Sequence, residues 1–449
     1  MPMLLPLLLA TATAWATDLE WDGHFRARGL LYHSLSLSDT NDQAEGTSSL
    51  VDMRLRLQPR WVLSDRVALQ AQVDALHLVP WGVEPEAWTD PVTGEATSLA
   101  WEDTTVAPTT EEGASVPADI TVTRAWAEVY TDVGRLRFGR IPLKWGTGIW
   151  LNDGTDPNAE YGDTADRVQF TSRVGLLYLT AAWDLQYEGF VNVADDMQSV
   201  NLAVAYQTET SGVGFYNRYR FQPSQSFRAY TGDLWFHLLL GPAAVDAEVV
   251  GTFGGGNLEG GANDVQISAV GAVLAAELDL DRLVGGVEGG LATGDADPDD
   301  EVIRTFSFDR DHNLSLFLFE VPMPTLEAVA ANSTNQGREY GAVLTGEGVR
   351  NALYVRPHVG YRVLPTLTAD VALLAARAAK LPESESDRTG YGLEVDLSLR
   401  YAPYAHVSFL GGLGVFLPGK YFSEYEDPEL GGGFSKTALG GALMGTVQF

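Results

Sequence analysis

The chain has 449 residues, a net charge of −31, no cysteine, 47 glycines, and 11 Trp, 17 Tyr and 18 Phe. Such acidity excludes binding to nucleic-acid phosphates through overall charge, and the lack of cysteine excludes disulfides, thiolate metal sites and Cys nucleophiles. A hydrophobic content of 45% is too rich for disorder, yet no apolar run beyond the N-terminus reaches the ~18 residues of a membrane helix.

The first element is residues 1–16. Leu4 to Ala10 is a short apolar core broken by Pro6, Ala14-Trp15-Ala16 is an A-x-A cleavage site, and the acidic Asp18 and Glu20 follow. This is the pattern of a secretory signal peptide, although its n-region carries no Lys or Arg. Residues 17–449 then form the exported chain, read as one domain.

Period-2 alternation begins at once. In Trp21–Leu37 the odd positions carry Trp21, Phe25, Leu31 and Leu35 while the even ones carry Asp22, His24, Arg26 and Arg28. In Val51–Leu63, Met53, Leu55, Leu57 and Trp61 alternate with Asp52, Arg54, Arg56 and Arg60. One apolar and one polar face is the signature of a β-strand. The pattern recurs in chain order over 20–37, 50–63, 66–79, 120–131, 134–145, 166–173, 176–187, 199–207, 212–221, 227–240, 243–253, 264–279, 282–293, 350–363, 366–379, 389–401, 404–417 and 437–449, eighteen strands in all.

The connections alternate between short and long. Short ones fall near Ser64, Asp132, Val174, Glu209, Gly241, Asp281, Leu364 and Pro403. Long ones fall at 38–49, 80–119, 146–165, 188–198, 222–226, 254–263, 294–349, 380–388 and 418–436. Turns at one rim and loops at the other describe an all-β transmembrane antiparallel barrel of eighteen strands, with sixteen as the fallback. Such a sheet must close, because unpaired backbone groups in hydrocarbon are too costly. A soluble propeller would show a blade-length repeat, and none is present.

The last strand ends at Phe449, with Leu443 and Val447 on its outward face. A final strand ending in Phe resembles the C-terminal signal that the barrel-assembly machinery of Gram-negative bacteria reads. Arg124 to Tyr130, Leu136 to Gly148, Asn152-Asp153 and Asp166-Arg167-Val168 resemble the early hairpin of porin-like outer-membrane barrels, including the alginate-export type. That resemblance implies eighteen strands and an Arg-lined pore. More faintly, Phe306 to Glu320 is similar to uncharacterised myxobacterial outer-membrane proteins.

If the apolar face meets lipid, the polar face meets the lumen. The chain has 25 arginines and 4 lysines, and the inward register holds Arg26, Arg28, Arg54, Arg56, Arg60, Arg124, Arg135, Arg137, Arg167, Arg218, Arg220, Arg356, Arg362 and Arg400. Inward acids come later: Asp246, Glu248, Glu288, Asp370, Glu394 and Asp396. One wall is thus Arg-rich and the other partly acidic. The arginines either pair with carboxylates on neighbouring strands or line a pore that favours anions; the sequence leaves both open.

Loop 80–119 holds nine acids and no base. Asp295, Asp297 and Asp299 form an alternating acidic run that is a weak calcium candidate, lacking the glycine and distal Glu of an EF-hand; no other cofactor is expected. Trp81, Trp88, Trp101, Trp145 and Trp150 are expected to anchor at the membrane rim. Loop 294–349 is too long to be structureless; it carries Phe317 and Phe319, and residues from Pro324 suggest a short helix. It is expected to fold into the lumen as a constriction or plug.

The seven histidines His24, His33, His77, His237, His312, His358 and His406 sit in no nucleophile motif, and no G-x-S-x-G occurs, which argues against an outer-membrane hydrolase. The reading is a porin-like channel for polar or anionic small solutes or oligosaccharides, with outer-membrane lipid and the assembly machinery as partners. The alternative is an adhesive or receptor barrel acting through its acidic loops.

Overall fold

The computed structural model describes residues 18–35, 37, 47–80, 120–187, 197–257, 264–297, 300–321, 348–381, 387–423 and 433–449. The expected signal peptide, loop 80–119 with Trp81, Trp88 and Trp101, Asp299, and the helix expected from Pro324 lie outside them. Strands β1 (Asp18–His33), β2 (Thr47–Ser64), β3 (Val67–Pro80), β4 (Ile120–Thr131), β5 (Gly134–Pro142), β6 (Thr164–Val174), β7 (Leu177–Tyr187), β8 (Met197–Gln207) and β9 (Ser211–Gln222) build half of the wall. The other half is β10 (Phe227–Leu240), β11 (Ala243–Gly256), β12 (Val265–Leu280), β13 (Leu283–Ala292), β15 (Ala352–Leu364), β16 (Leu367–Ala378), β17 (Gly390–Tyr404), β18 (Val407–Pro418) and β19 (Ala438–Gln448).

Each of these eighteen strands pairs antiparallel with its neighbour in the chain, β13 passing to β15. The sheet closes where β1 meets β19, from His24 opposite Gln448 to His33 opposite Leu439. Gly23 and Phe449 exchange both backbone hydrogen bonds, 3.0 and 3.1 Å, so the terminal Phe is a paired stave residue. Seven of the eight short turns fall where the alternation places them; the eighth, expected near Pro403, lies at Ala405-His406, because β17 runs on to Tyr404.

Alternation sorts the faces. Leu19, Trp21, Phe25 and Leu31 on β1 and Leu439, Leu443 and Val447 on β19 are exposed outward, and the same holds for every stave. An apolar belt of this extent needs hydrocarbon around it. Inward positions are polar along β1–β9 but become apolar under the loop after β13. There Phe306, Phe308, Leu314, Phe317, Leu318 and Phe319 pack on Tyr354, Leu374, Tyr391 and Phe416. The core of this molecule therefore sits inside the barrel. Gly440 makes room for it: a Cβ there would lie 2.6 Å from the Phe317 ring.

Three local features depart from the sequence expectation. Strand 134–145 ends at Pro142, because Leu143 turns inward and its N–H bonds the Asp163 carbonyl at 3.0 Å. The connection at 222–226 is a single 3-10 turn, Pro223–Gln225, closed by the Ser226 N–H on Pro223. A two-residue strand, β14 (Val302–Ile303), lies parallel on β12.

Candidate functional site: a lumen crossed by two loops

The first loop, 143–163, leaves β5 and crosses the lumen. Its tip turns at Gly146 and Gly148, with φ of 54° and 92°, a conformation that favours glycine. The tip is held by acids of β10 and β11. The Trp145 indole N–H donates to Asp233 at 3.1 Å, the Thr147 hydroxyl to Glu248 at 2.6 Å and the Gly148 N–H to Glu248 at 3.2 Å. Trp150 lies over the Arg218 guanidinium at 4.7 Å and meets Tyr216 edge-on at 5.4 Å. Both tryptophans thus sit in the lumen, which corrects the rim-anchor expectation for them: the Trp145 N–H needs a buried acceptor, and Asp233 supplies it.

The return limb lies in a clamp of arginines. Arg26 donates to the Pro157 carbonyl at 3.2 Å, Arg54 to Ala159 and Pro157 at 2.7 and 3.1 Å, and Arg56 to Gly154 at 2.7 Å. Arg124 donates to the Asp153 carbonyl at 2.5 Å. Arg26 and Arg54 are wholly buried, and Arg56 and Arg124 nearly so. Arg56 also forks onto Asp74 at 2.7 and 2.9 Å, and Arg28 onto Asp52 at 2.9 and 2.7 Å while reaching Glu160. These arginines satisfy loop carbonyls that would otherwise be buried without donors.

The second loop is described over 300–321. Its tip is held by one carboxylate of β17: Glu394 accepts the N–H groups of Leu316, Phe317 and Leu318 at 2.9, 2.8 and 2.8 Å. Three convergent N–H donors on one carboxylate form an anion nest, with the anion provided by the barrel wall. Glu288 holds the loop's shoulder, accepting from the Tyr354 hydroxyl at 2.5 Å and lying 3.0 Å from His312. The two loops also join each other. Asp309 donates its N–H to the Ile149 carbonyl at 2.8 Å, and Asp311 accepts the Glu160 and Tyr161 N–H groups at 2.7 and 3.2 Å.

The other sequence-singled residues fall apart from this junction. Arg167 forks onto Asp184 at 2.5 and 2.9 Å and donates to the Tyr216 hydroxyl at 2.9 Å. Arg60 pairs with Glu20 at 2.7 Å, Arg135 with Glu128 at 3.6 Å, and Asp246 with His237 at 2.7 Å. Arg137, Arg218, Arg220 and Arg356 make no salt bridge among the described residues, and each has a buried guanidinium nitrogen without a hydrogen-bond partner. Of the calcium candidates, Asp295 and Asp297 are described and Asp299 lies outside the described residues. Arg304 brings the positive charge to the acidic run, bonding Asp295 at 3.1 Å and Asp300 at 2.8 Å. Among the described residues no cluster of acids and histidines is arranged to hold a metal ion.

Between the loops lies a cavity of about 540 Å³ lined by Trp150, Tyr161, Asp163, Phe308, Asp309 and Arg310, among others. Burial and the charge of Asp163 push the Asp309 carboxyl up to about 8. Burial likewise raises Asp163 and Asp311, and lifts Glu320 well above the usual carboxylate range. Asp163, Asp233 and Asp311 escape a sequence reading, because nothing local distinguishes a carboxylate that will cap a distant loop from one that is solvated.

No protein family matches the chain, and no curated protein matches it in sequence. Its fold is similar to solved porins of Pseudomonas aeruginosa. OccK9 (OpdG) is 13% identical with a TM-score of 0.55, covering 96% of this chain and 99% of that one. OccK5 (OpdH) is 12% identical with a TM-score of 0.52, covering 96% and 98%. OpdK, solved with vanillate, is 10% identical with a TM-score of 0.51, covering 96% and 98%. The chain therefore has the fold of an outer-membrane porin, an eighteen-stranded antiparallel β-barrel.

Proposed function

We propose that this protein is an outer-membrane channel for small polar or anionic solutes, narrowed by the two inward loops. The observation that carries the reading is the set of lumen arginines left without carboxylates. Among the described residues Arg137, Arg218, Arg220 and Arg356 have neither a salt bridge nor a loop carbonyl, and each keeps an unpartnered guanidinium nitrogen; Arg26, Arg54, Arg56 and Arg124 donate to loop carbonyls. A guanidinium buried without a counter-charge is costly, and a carboxylate or phosphate passing in solution matches its planar fork. The filter proposed is thus smaller than the full inward register of arginines. Vanillate, the carboxylate bound in the OpdK structure, is a first solute to try, and the likeness of residues 124–167 to alginate-export barrels adds acidic oligosaccharides to the panel.

The test is the reversal potential of the reconstituted protein in asymmetric KCl. The expected result is anion preference, weakened by Arg137→Ala, Arg218→Ala and Arg220→Ala together. Cation selectivity untouched by those changes would overturn the reading.

A further inference from the structure

One of the four arginines proposed as the filter is out of a solute's reach. Arg137, Arg220 and Arg356 are half-buried, but Arg218 is only 4% exposed. Its strand neighbours do not balance its charge: Asn201 stands opposite on β8 and Thr231 on β10, and neither is a carboxylate. The Arg218 Nε–H donates to the Asn201 side-chain oxygen at 2.9 Å, and Nη2 is buried without a partner among the described residues. Two rings close over the guanidinium. Tyr216, on the same face of β9, lies 6.0 Å away, its hydroxyl tied to the wall by Asn201 and Arg167 at 3.0 and 2.9 Å. Trp150 comes from the first inward loop and lies nearer, at 4.7 Å.

Trp150 has a second neighbour. It lines the cavity between the two loops, and Arg218 does not. It also packs on the apolar groups of both loops, against Leu143 and Leu151 of its own and against the cluster around Phe308 of the other. The indole is therefore what stands between that cavity and a buried, uncompensated guanidinium. We propose that Trp150 is a specificity-determining cap: with the ring in place the cavity is read without Arg218, and with the ring displaced Arg218 becomes an oxyanion subsite of the passage. The charges that line the capped cavity, Asp163 and Asp309 against Arg310 and Arg350, formally cancel. The guanidinium behind the ring is the one that tips the balance toward anions. A carboxylate meets its N–H donors with formal negative charge, so it binds them more strongly than the face of a ring does. An arriving carboxylate thus favours the uncapped state, because it interacts with that state and not with the other. The specificity role rests on the channel reading; the cover over Arg218 does not.

The test reads Arg218 directly. The folded barrel is treated with phenylglyoxal, an arginine-selective reagent, and labelling of Arg218 is followed by peptide mass spectrometry in the parent and in Trp150→Ala. The backbone bonds on either side, from the Asp309 N–H to Ile149 and from the Trp145 N–H to Leu151, do not involve the indole. Arg167, buried and forked onto Asp184 beside the same Tyr216, is the internal reference. Labelling of Arg218 is expected to rise about tenfold, the size of a desolvated cation–π contact, with Arg167 unchanged. If Trp150→Ala gives no heat-modifiable folded band, Trp150→Leu, which fills space without a π face, replaces it with the same expectation. Reversal potentials in asymmetric KCl are then compared for the parent, W150A, R218A and W150A/R218A. The W150A protein is expected to gain anion preference, and the double variant to lose that gain. Unchanged labelling of Arg218, a rise shared by Arg167, an unchanged reversal potential in W150A, or a gain that survives in W150A/R218A overturns the cap. A selective rise in Arg218 labelling with no ionic current from any of the four proteins keeps the cover and overturns the channel.

Discussion

The two halves of the barrel wall treat the inward loops in opposite ways. On β1–β4 the inward charges that meet the first loop are arginines, and they take its carbonyls: Pro157, Ala159, Gly154 and Asp153. On β10, β11 and β17 the inward charges are carboxylates, and they take N–H groups: Gly148 on Glu248, and Leu316, Phe317 and Leu318 on Glu394. A loop inside a barrel brings buried backbone donors and acceptors that need partners. The sign of each wall decides which of them it can hold. The transverse charge asymmetry thus positions two loops.

The largest expected effect breaks the arginine side. Arg56 both grips Gly154 and neutralises the buried Asp74. Arg56→Ala takes the forked guanidinium from that buried carboxylate, which costs about 3–5 kcal/mol. Arg54 has no carboxylate partner among the described residues; it bonds Ala159, Pro157 and His24. Arg54→Ala orphans two carbonyls and the His24 ring nitrogen but no carboxylate, and about 1–3 kcal/mol is expected. Urea unfolding of the two variants in the same detergent orders them. Equal losses would mean that the clamp, and not the ion pair, dominates this wall.

The acid side is expected to yield less. Glu394→Gln keeps an oxygen for Leu316 and Phe317 but loses the charge and turns an amide toward the Leu318 N–H, now bonded at 2.8 Å. A loss of about 1–3 kcal/mol follows. Because Glu394 holds only the tip of the second loop, the effect should show as altered single-channel conductance with selectivity retained. A variant whose conductance trace matches the parent would remove Glu394 as a loop anchor and leave the apolar packing of Phe317 and Phe319 to hold the tip.

The stave pattern was legible because it depends on residue type alone. The alternation of Met53, Leu55 and Leu57 with Arg54 and Arg56 states which face each side chain takes, and the turn positions fix the strand order. The partners of those arginines were not legible. Arg54 meets the Ala159 carbonyl 105 residues away, and a backbone carbonyl has no residue-type signature. The tryptophans misled for a related reason: Trp145 and Trp150 suit a membrane rim or a buried acceptor equally, and only the inward path of the loop chooses. One signal was present and unread. Glu394 lies opposite Leu374 and Phe416, and Glu248 opposite Trp235 and Val273. An inward carboxylate with no cation across either neighbouring strand needs donors from elsewhere, and a loop is the nearest source.

The smallest effect tests whether pairing alone, without burial, has any weight on the arginine side. Strand β6 contributes one member to each of two forked Arg–Asp pairs of similar geometry, at 2.8 Å for both bonds between Arg140 of β5 and Asp166, and at 2.5 and 2.9 Å between Arg167 and Asp184 of β7. They differ in setting. The Arg140 and Asp166 side chains are 53% and 50% exposed, against 4% and 0% for Arg167 and Asp184. Water screens the first pair, and holding two mobile side chains in one geometry offsets much of its attraction. Arg140→Ala should therefore shift the urea midpoint by the equivalent of about 0–1 kcal/mol, and raising the salt should shrink even that. Arg167→Ala should cost about 3–5 kcal/mol with little salt dependence, since Asp184 is left buried with Ser199 and Asn201 as its donors among the described residues. If both substitutions cost the same, burial is not what separates wall charges that hold structure from those at its edge, and the unpaired lumen arginines lose their claim to be a distinct class.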